Sequence, residues 1–587
     1  MRKRRLGLIF GFMALLIQLG SAQQRIVSES ELNVLLKTPM ESVYLHLNRS
    51  TFFPGETLYY SVYTMNMQTY KLSSISKVVY VQLLDALGEV KETHRVRLKQ
   101  GRGQGDFFFK TNYASGAYKI IAFTNWMKNA GINQCFQANL TVVNPYEASA
   151  GNLVQSQGVN NPNPNLKDVS AAEQMESSIG LLLETSCKTC TTEAEIKLNL
   201  KNFKGALAEG DYSLSVARVE EIPELPLLSA KTFGESYVGK SRNFSGKMFD
   251  TLWIPENREA IITGRLLNSK DSSAIANTPV VISLPGANFQ LLTANTNSQG
   301  QFTVYMKAPY EGTQGFLYIS SEMYESPNLQ FENLANWHGE LDRFSSIRID
   351  EDMTDAIRQR SIHNQIENGY FEAKPDTVIA PYSEEAYFGN YPRIYDLEDY
   401  TRFSTFRETL VEIIQDVWVK TGPDKKETLW VRAPLEEGRE TYTEHPPIVT
   451  VDGVWIGNHI SILDFDARQL RYVRVVQEAI NWGGRQYQGM VALETIDRNY
   501  SQSGIPFNFI PAEPIKRYFL QSLTGQKAHV PDFRHQLYWN PRLVFSDSEQ
   551  SIAIKTSQVP GLYYAQLEGF TSYGKPVSLR CYFEVVN

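Results

Sequence analysis

The chain has 587 residues, too many for one hydrophobic core and enough for about four domains at roughly 150 residues each. Apolar residues make up 42% and charged residues 21%, which excludes a disordered chain; 31 Tyr, 30 Phe, 38 Gly and 26 Pro favour sheets and turns. A formal net charge of −7 counts against a nucleic-acid partner or an anionic membrane surface.

The first 22 residues have the form of a secretory signal. Arg2, Lys3, Arg4 and Arg5 are a basic start, Leu6 to Leu19 is a short apolar run, and Gly20-Ser21-Ala22 is a small-residue cleavage site before Gln23. The segment carries four basic and no acidic residues, so its removal moves the charge from −7 to −11. No Cys lies near the cleavage site to take a lipid, and no later stretch approaches the about 18 apolar residues of a spanning helix. The expected location is therefore outside the cytoplasm: periplasm, outer-membrane-associated or cell surface.

Ser30 to Lys37 is predicted as a short helix, followed by strands at Val43–Leu47, Leu58–Tyr63, Val78–Leu84 and Phe107–Lys110 in a first sandwich spanning 23–149. Residues 150–177, rich in Asn, Gln, Ser and Pro, read as a linker. A second sandwich is expected over 178–258, where Ile196, Leu198 and Leu200 alternate, and a third over 259–350. Residues 351–509 read as α+β. There Thr405 and Glu408 form a capping box, opening a helix predicted to run through Val417, and strands are expected near Leu429–Arg432, Ile448–Val451 and Met490–Thr495. The last region, 510–587, reads as a further sandwich. The predicted class is thus mainly β, with several sandwiches in series and one small α+β domain.

One pattern recurs four times: Gly116-Ala117-Tyr118, Gly210-Asp211-Tyr212, Gly300-Gln301-Phe302 and Gly561-Leu562-Tyr563, each followed by apolar residues at period two. A turn glycine, an aromatic and an alternating run are expected to give strands with one buried and one wet face.

The first sandwich resembles the macroglobulin-type domain of exported bacterial proteins, on Val43-Tyr44-Leu45-His46, Phe53-Pro54-Gly55-Glu56-Thr57-Leu58 and Ala114-Ser115-Gly116-Ala117-Tyr118. The third resembles the carboxypeptidase regulatory-like fold on Ile262-Thr263-Gly264-Arg265-Leu266 and Thr296 to Phe302. The fourth region resembles a TonB-dependent receptor plug on Pro447 to Val454, Leu470 to Val475 and Gly483-Gly484-Arg485 to Gly489-Met490-Val491. In this order the modules resemble large exported proteins of Gram-negative bacteria. Too few residues follow Thr495 for the receptor barrel of about 22 strands. The resemblance therefore implies a free-standing plug-like module, with Asp452, Gly453, Gly484 and Gly489 as its motif residues. None of the four Cys lies in a thioester motif, so covalent protease trapping is not implied.

Gly234 to Ser241 matches the phosphate-loop pattern by letter, but Leu228 to Lys231 is a poor strand before it and Arg242 to Gly246 a poor helix after it, so it reads as coincidence. Cys187 and Cys190 have no second Cys or His pair to complete a zinc site and no helix start to activate a thiolate. In an oxidising compartment they read as a local disulfide, and Cys135 and Cys581 as small buried hydrophobes. No catalytic, cofactor or metal constellation stands out. The expected function is a non-enzymatic, exported interaction or scaffold protein that docks to an outer-membrane or periplasmic protein. The alternative is an accessory ligand-binding component of nutrient uptake, with Trp337, Trp455 and Trp482 as candidate contacts, although core or rim packing suits these rings better.

Overall fold

A computed structural model describes residues 37–130, 135–147, 174–176, 179–237, 253–286, 288–319, 327–336, 341–379, 393–422, 426–433, 445–521 and 530–587. The signal segment, all but the last residue of the predicted 30–37 helix, most of the 150–177 linker and Trp337 lie outside these residues.

The architecture is mainly β: three two-sheet sandwiches and one α+β unit. In the first sandwich, Glu41–Leu47, Thr57–Asn66 and Arg102–Phe108 face a five-stranded sheet of Thr51–Phe52, Phe136–Val142, Gly116–Phe123, Val78–Asp85 and Val90–Arg97. The expectation of one wet face fails for Gly116–Phe123, buried from Tyr118 to Phe123, and for Gly210–Arg218, buried from Tyr212 to Ala217; Glu41–Leu47 is likewise buried at all seven residues. Val43 and Leu45 point into the sandwich core, while Tyr44 packs on Phe233 and Phe570, with ring centroids 5.3 and 6.0 Å away, and His46 meets Ser213. The outer face is thus covered by a second sandwich. Arg102 belongs to the same seam, stacked 3.4 Å over the Tyr63 ring and donating to the Pro541 carbonyl at 2.6 Å.

That second sandwich corrects the linear domain plan. The regions 178–258 and 510–587 are not two sandwiches but two halves of one. Glu195–Asn202 pairs antiparallel with Glu549–Lys555, and Gly210–Arg218 lies between Gly561–Thr571 and Gln536–Phe545. Neither half could bury its apolar face alone: Leu198, Leu214, Leu567 and Leu579 share one core. Helix α1, Ala230–Tyr237, packs Gly234 against Pro576, so the start of the phosphate-loop-like match is helix and not a loop; its end lies outside the described residues.

The third sandwich is nested inside the second, and the α+β unit inside the third. Ile261–Leu267, Gln301–Tyr305 and Asn328–Phe331 form one sheet; Gln290–Asn295, Pro279–Leu284 and Gln314–Ile319 form the other. The second sheet is closed by Ile505–Asn508, which returns only after the α+β unit. Helix α2, Thr354–Gly369, does not join the α+β unit as the 351–509 boundary implied, but docks on the first sandwich through Arg360.

The recurring glycine–aromatic pattern has a physical basis. The Tyr118, Tyr212 and Tyr563 hydroxyls each donate to a carbonyl four residues upstream, that of Ala114, Ala208 and Val559, at 3.0, 2.7 and 2.8 Å. Each is a tyrosine corner that fixes the turn into its strand. Phe302 has no hydroxyl and makes no such bond. The Gly210 and Gly561 strands are neighbours in one sheet, so the four copies mark three sandwiches.

Candidate interdomain site

In the α+β unit the strand order is Arg393–Asp396, Leu470–Trp482, Arg485–Thr495, Ile448–Val451, Val454–Trp455. Thr405 and Glu408 cap helix α3, Phe406–Glu412, as the capping box predicts. The helix ends earlier than the sequence pattern suggested. Val417 instead opens a strand, Val417–Thr421, paired with Glu427–Val431, where β-branched residues and Trp suit the extended chain. With α4, Ile460–Leu463, these elements enclose a core of Phe406, Leu410, Ile414, Val449, Val473 and Leu493. The other face of the sheet is sealed against the third sandwich by Ile448, Val476 and Met490 on Val281 and Leu291.

The motif residues are structural. Asp452 sits at φ +51° and its carboxylate accepts from the Thr495 N–H at 2.7 Å, the Thr495 hydroxyl at 2.6 Å and the Tyr500 N–H at 3.1 Å. It ties the Asp452-Gly453 turn to the end of the neighbouring strand. Gly484 shares a two-residue hairpin turn with Gly483, and Gly489 lies at a bulge where a Cβ would meet the Val476 carbonyl at 2.0 Å. Trp455 is buried and stacks on half-buried Trp482 at 5.2 Å, which makes them packing groups and not exposed ligand platforms.

Cys187 and Cys190 are joined as a disulfide. Cys135 and Cys581 are buried and outside any disulfide, and burial pushes the Cys135 thiol up to about 12. Among the described residues no three His, Cys, Asp or Glu side chains are placed to hold a metal, and no helix is long and apolar enough to cross a membrane.

The densest polar chemistry lies where the first sandwich, the second sandwich and α2 meet. Arg360, 1% exposed, forks onto Glu56 with both contacts at 2.7 Å and also donates to the Thr51 carbonyl. Glu220, on the segment leaving the Gly210–Arg218 strand, takes Arg49 at 3.1 Å and His535 at 2.9 Å, and Arg360 stands 3.9 Å off. His535 in turn contacts His363 of α2 at 2.9 Å. Burial alone would raise the Glu220 carboxyl, but His535, Arg360 and Arg49 outweigh it and hold the group well below the usual carboxylate range. Burial and the adjacent His535 and Arg218 bring His363 down to about 4. Glu224 is raised by burial, which Arg49 and Arg360 only partly offset. Nothing in a β-sandwich pattern marks these residues, because they come from four distant chain segments, around 49–56, 220–224, 360–363 and 535.

Two clefts flank this junction. The larger, about 510 Å³, is lined by Arg218, Glu224, Tyr564, Glu568, Arg580 and Tyr582 among others. Its polar groups are largely paired with one another: Glu568 accepts from Ser578, Gln566 and the Ala230 N–H, Glu224 from Ser50, and Arg580 donates to Gln566. The smaller is about 190 Å³.

No protein-family model matches the chain, and no curated protein matches it. Among solved structures it is similar to the α-2-macroglobulin of Salmonella reacted with methylamine (8% identity, TM-score 0.22, 93% of this chain and 39% of that one). It is also similar to Escherichia coli α-2-macroglobulin activated by porcine elastase (9%, 0.22, 93% and 44%). Dimeric latent PorU of Porphyromonas gingivalis is matched at 10% identity and TM-score 0.15 over 50% of this chain and 34% of that one. The chain thus spans less than half the length of these proteins.

Proposed function

We propose that this chain is an exported, non-enzymatic scaffold that docks to an outer-membrane or periplasmic protein through its plug-like α+β unit. The observation that carries the reading is the edge strand Arg393–Asp396. It ends its sheet, no described strand pairs with its outer edge, and Ile394 is 53% exposed on it. Such an edge accepts an added strand from a partner. The ionic junction supports the scaffold role, because it ties two sandwiches and α2 into one body that holds its docking surfaces in fixed relation. The resemblances to macroglobulin-type, carboxypeptidase regulatory-like and plug domains enter as the same reading.

The test places a photo-crosslinking residue at Ile394 and a control at Leu87, 84% exposed on the first sandwich. A discrete envelope protein captured at 394 and not at 87 supports the proposal. Equal, unspecific capture at both positions overturns it.

The larger cleft favours a second reading, an accessory component that binds a small polar ligand, since about 300–1,000 Å³ is usual for such sites. Ferric siderophores and short glycans that raise the unfolding temperature of the wild type but not of Glu224→Gln would support it.

A further inference from the structure

The smaller cleft differs from the larger in its unmet hydrogen bonding. Its walls come from the first sandwich (Arg49, Tyr59, Phe108), the 3-10 turn after α2 (Phe371) and the C-terminal half of the second sandwich's chain (Tyr518, Trp539). The carboxylates among its lining residues are already met: Glu56 by Arg360, Glu367 by Lys374 at 2.6 Å, and Asp376 by the Phe519 N–H at 2.8 Å. Two lining side chains keep a buried atom without a hydrogen-bond partner, Arg49 at Nη2 and Trp539 at Nε1. Both atoms are N–H donors, and the residues are only 3% and 4% exposed. A buried donor left unmet is costly and is a place where a ligand acceptor gains most.

The rim is apolar. Phe371 is 64% exposed and Phe108 41%. Through Asp376 and Tyr518 the cleft adjoins a two-stranded ribbon, Thr377–Val378 with Lys516–Arg517, which Lys516 pins to Asp106 of the first sandwich at 2.8 Å. There Val378, Ile379, Ile515 and Leu520 are 55%, 46%, 42% and 43% exposed. Exposed aromatics at a recess with unmet donors, with exposed aliphatic residues on and beside the adjoining ribbon, have the anatomy of a protein-binding hot spot. A free sugar would need the donors but not the aliphatic surround.

We infer that this cleft receives an acidic side chain or C-terminal carboxylate of an extended, otherwise apolar peptide segment of a partner protein. The inference rests on the scaffold reading and names a second docking surface for it. The carboxylate oxygens would accept from Arg49 and Trp539, and the flanking apolar residues would cover Phe371 and Ile379. No covalent step is involved.

The test pans a displayed random heptapeptide library on the full chain. Bound peptides are expected to carry Asp, Glu or a free C-terminus between apolar residues. A synthetic peptide from the pool should lose about tenfold or more in affinity on Phe371→Ser with Ile379→Ser. Both residues are surface groups, so this variant keeps its core. Arg49→Lys, which retains a cation for Glu220 but lacks the second nitrogen, should lose the acidic preference while keeping the apolar one. A pool without acidic enrichment, or affinity unchanged in the surface variant, overturns the proposal. Calorimetric binding of glucuronate that the surface variant loses also overturns it, in favour of a sugar site. Failed capture at Ile394 with peptide selection intact would sink the edge-strand reading alone.

Discussion

Nδ1 of His46 lies 2.6 Å from the Ser213 hydroxyl, in a contact between the first two sandwiches where both residues are at most 2% exposed. Burial, reinforced by Arg102 and Arg580, lowers His46 to about 3 from its usual 6.5. The folded chain therefore keeps this imidazole neutral while the unfolded chain takes up a proton below about pH 6.5. Stability is lost as pH falls from 6.5 towards 3, at up to about 1.4 kcal/mol per pH unit from this group. His46→Asn keeps a partner for Ser213 and does not titrate. Urea midpoints at pH 7 and pH 5 should fall less for the variant than for the wild type; an equal fall would refute the assignment.

Arg360 is the hinge pin of the ionic junction, so Arg360→Ala leaves Glu56 and part of the Glu220 charge buried and uncompensated. A loss of about 3–5 kcal/mol is expected. The double variant Arg360→Leu with Glu56→Leu should recover much of it, because the forked pair is removed together. Chemical denaturation of both variants provides the comparison.

The three glycines at the turns and bulge of the α+β unit should differ among themselves. Gly484→Ala meets nothing within 4 Å and suffers only its φ of +75°, about 1 kcal/mol. Gly489→Ala would drive a methyl against the Val476 carbonyl, and Gly453→Ala against the Phe289 Cβ at 2.3 Å, so each should be several-fold more costly than Gly484→Ala. Thermal unfolding of the three variants ranks them.

A fragment of residues 385–500 carries its own core under α3 and α4, and should express as a protease-resistant unit. It also bares the face of Ile448, Trp455, Val476 and Met490 that the third sandwich covers. It should therefore bind the dye ANS where the full chain does not. Circular dichroism without ordered structure would count against the independent core.

Peptide mapping without reduction should recover Cys187 joined to Cys190. With so short a loop, reduction should lower stability by about 2 kcal/mol at most. Two free thiols in the mature chain would refute the pairing.

The sequence made the strands legible because their cause is local. Val43, Leu45 and Leu47 alternate, Tyr118 follows its turn glycine by two, and Thr405 meets Glu408 within one helical turn. What it hid is non-local. The strand Glu195–Asn202 reads alike whether its neighbour comes from nearby or from Glu549–Lys555, since the ladder is made by backbone groups that every residue has. The junction was equally hidden: Arg49, Glu220, Arg360 and His535 become a buried set only once four segments are packed. Asp452-Gly453 was legible as a turn because both residues tolerate positive φ. Its tie to Thr495 was not, for it depends on a parallel strand neighbour.

The nested order of the chain also sets a timetable. The Ala194 N–H bonds the Thr556 hydroxyl across a separation of 362 residues. The strands Leu181–Thr185 and Gly210–Arg218 thus emerge from the ribosome long before the strands that complete their sheets. During that interval they present open edges and an uncovered apolar face, the condition under which strands pair with the wrong neighbour. The two inner units can close first. The outermost sandwich is then the last to form and shuts only once Gly561–Thr571 and Pro576–Val586 are in place. Loss of even the last strand, Pro576–Val586, would leave a sheet begun hundreds of residues earlier without its closing member.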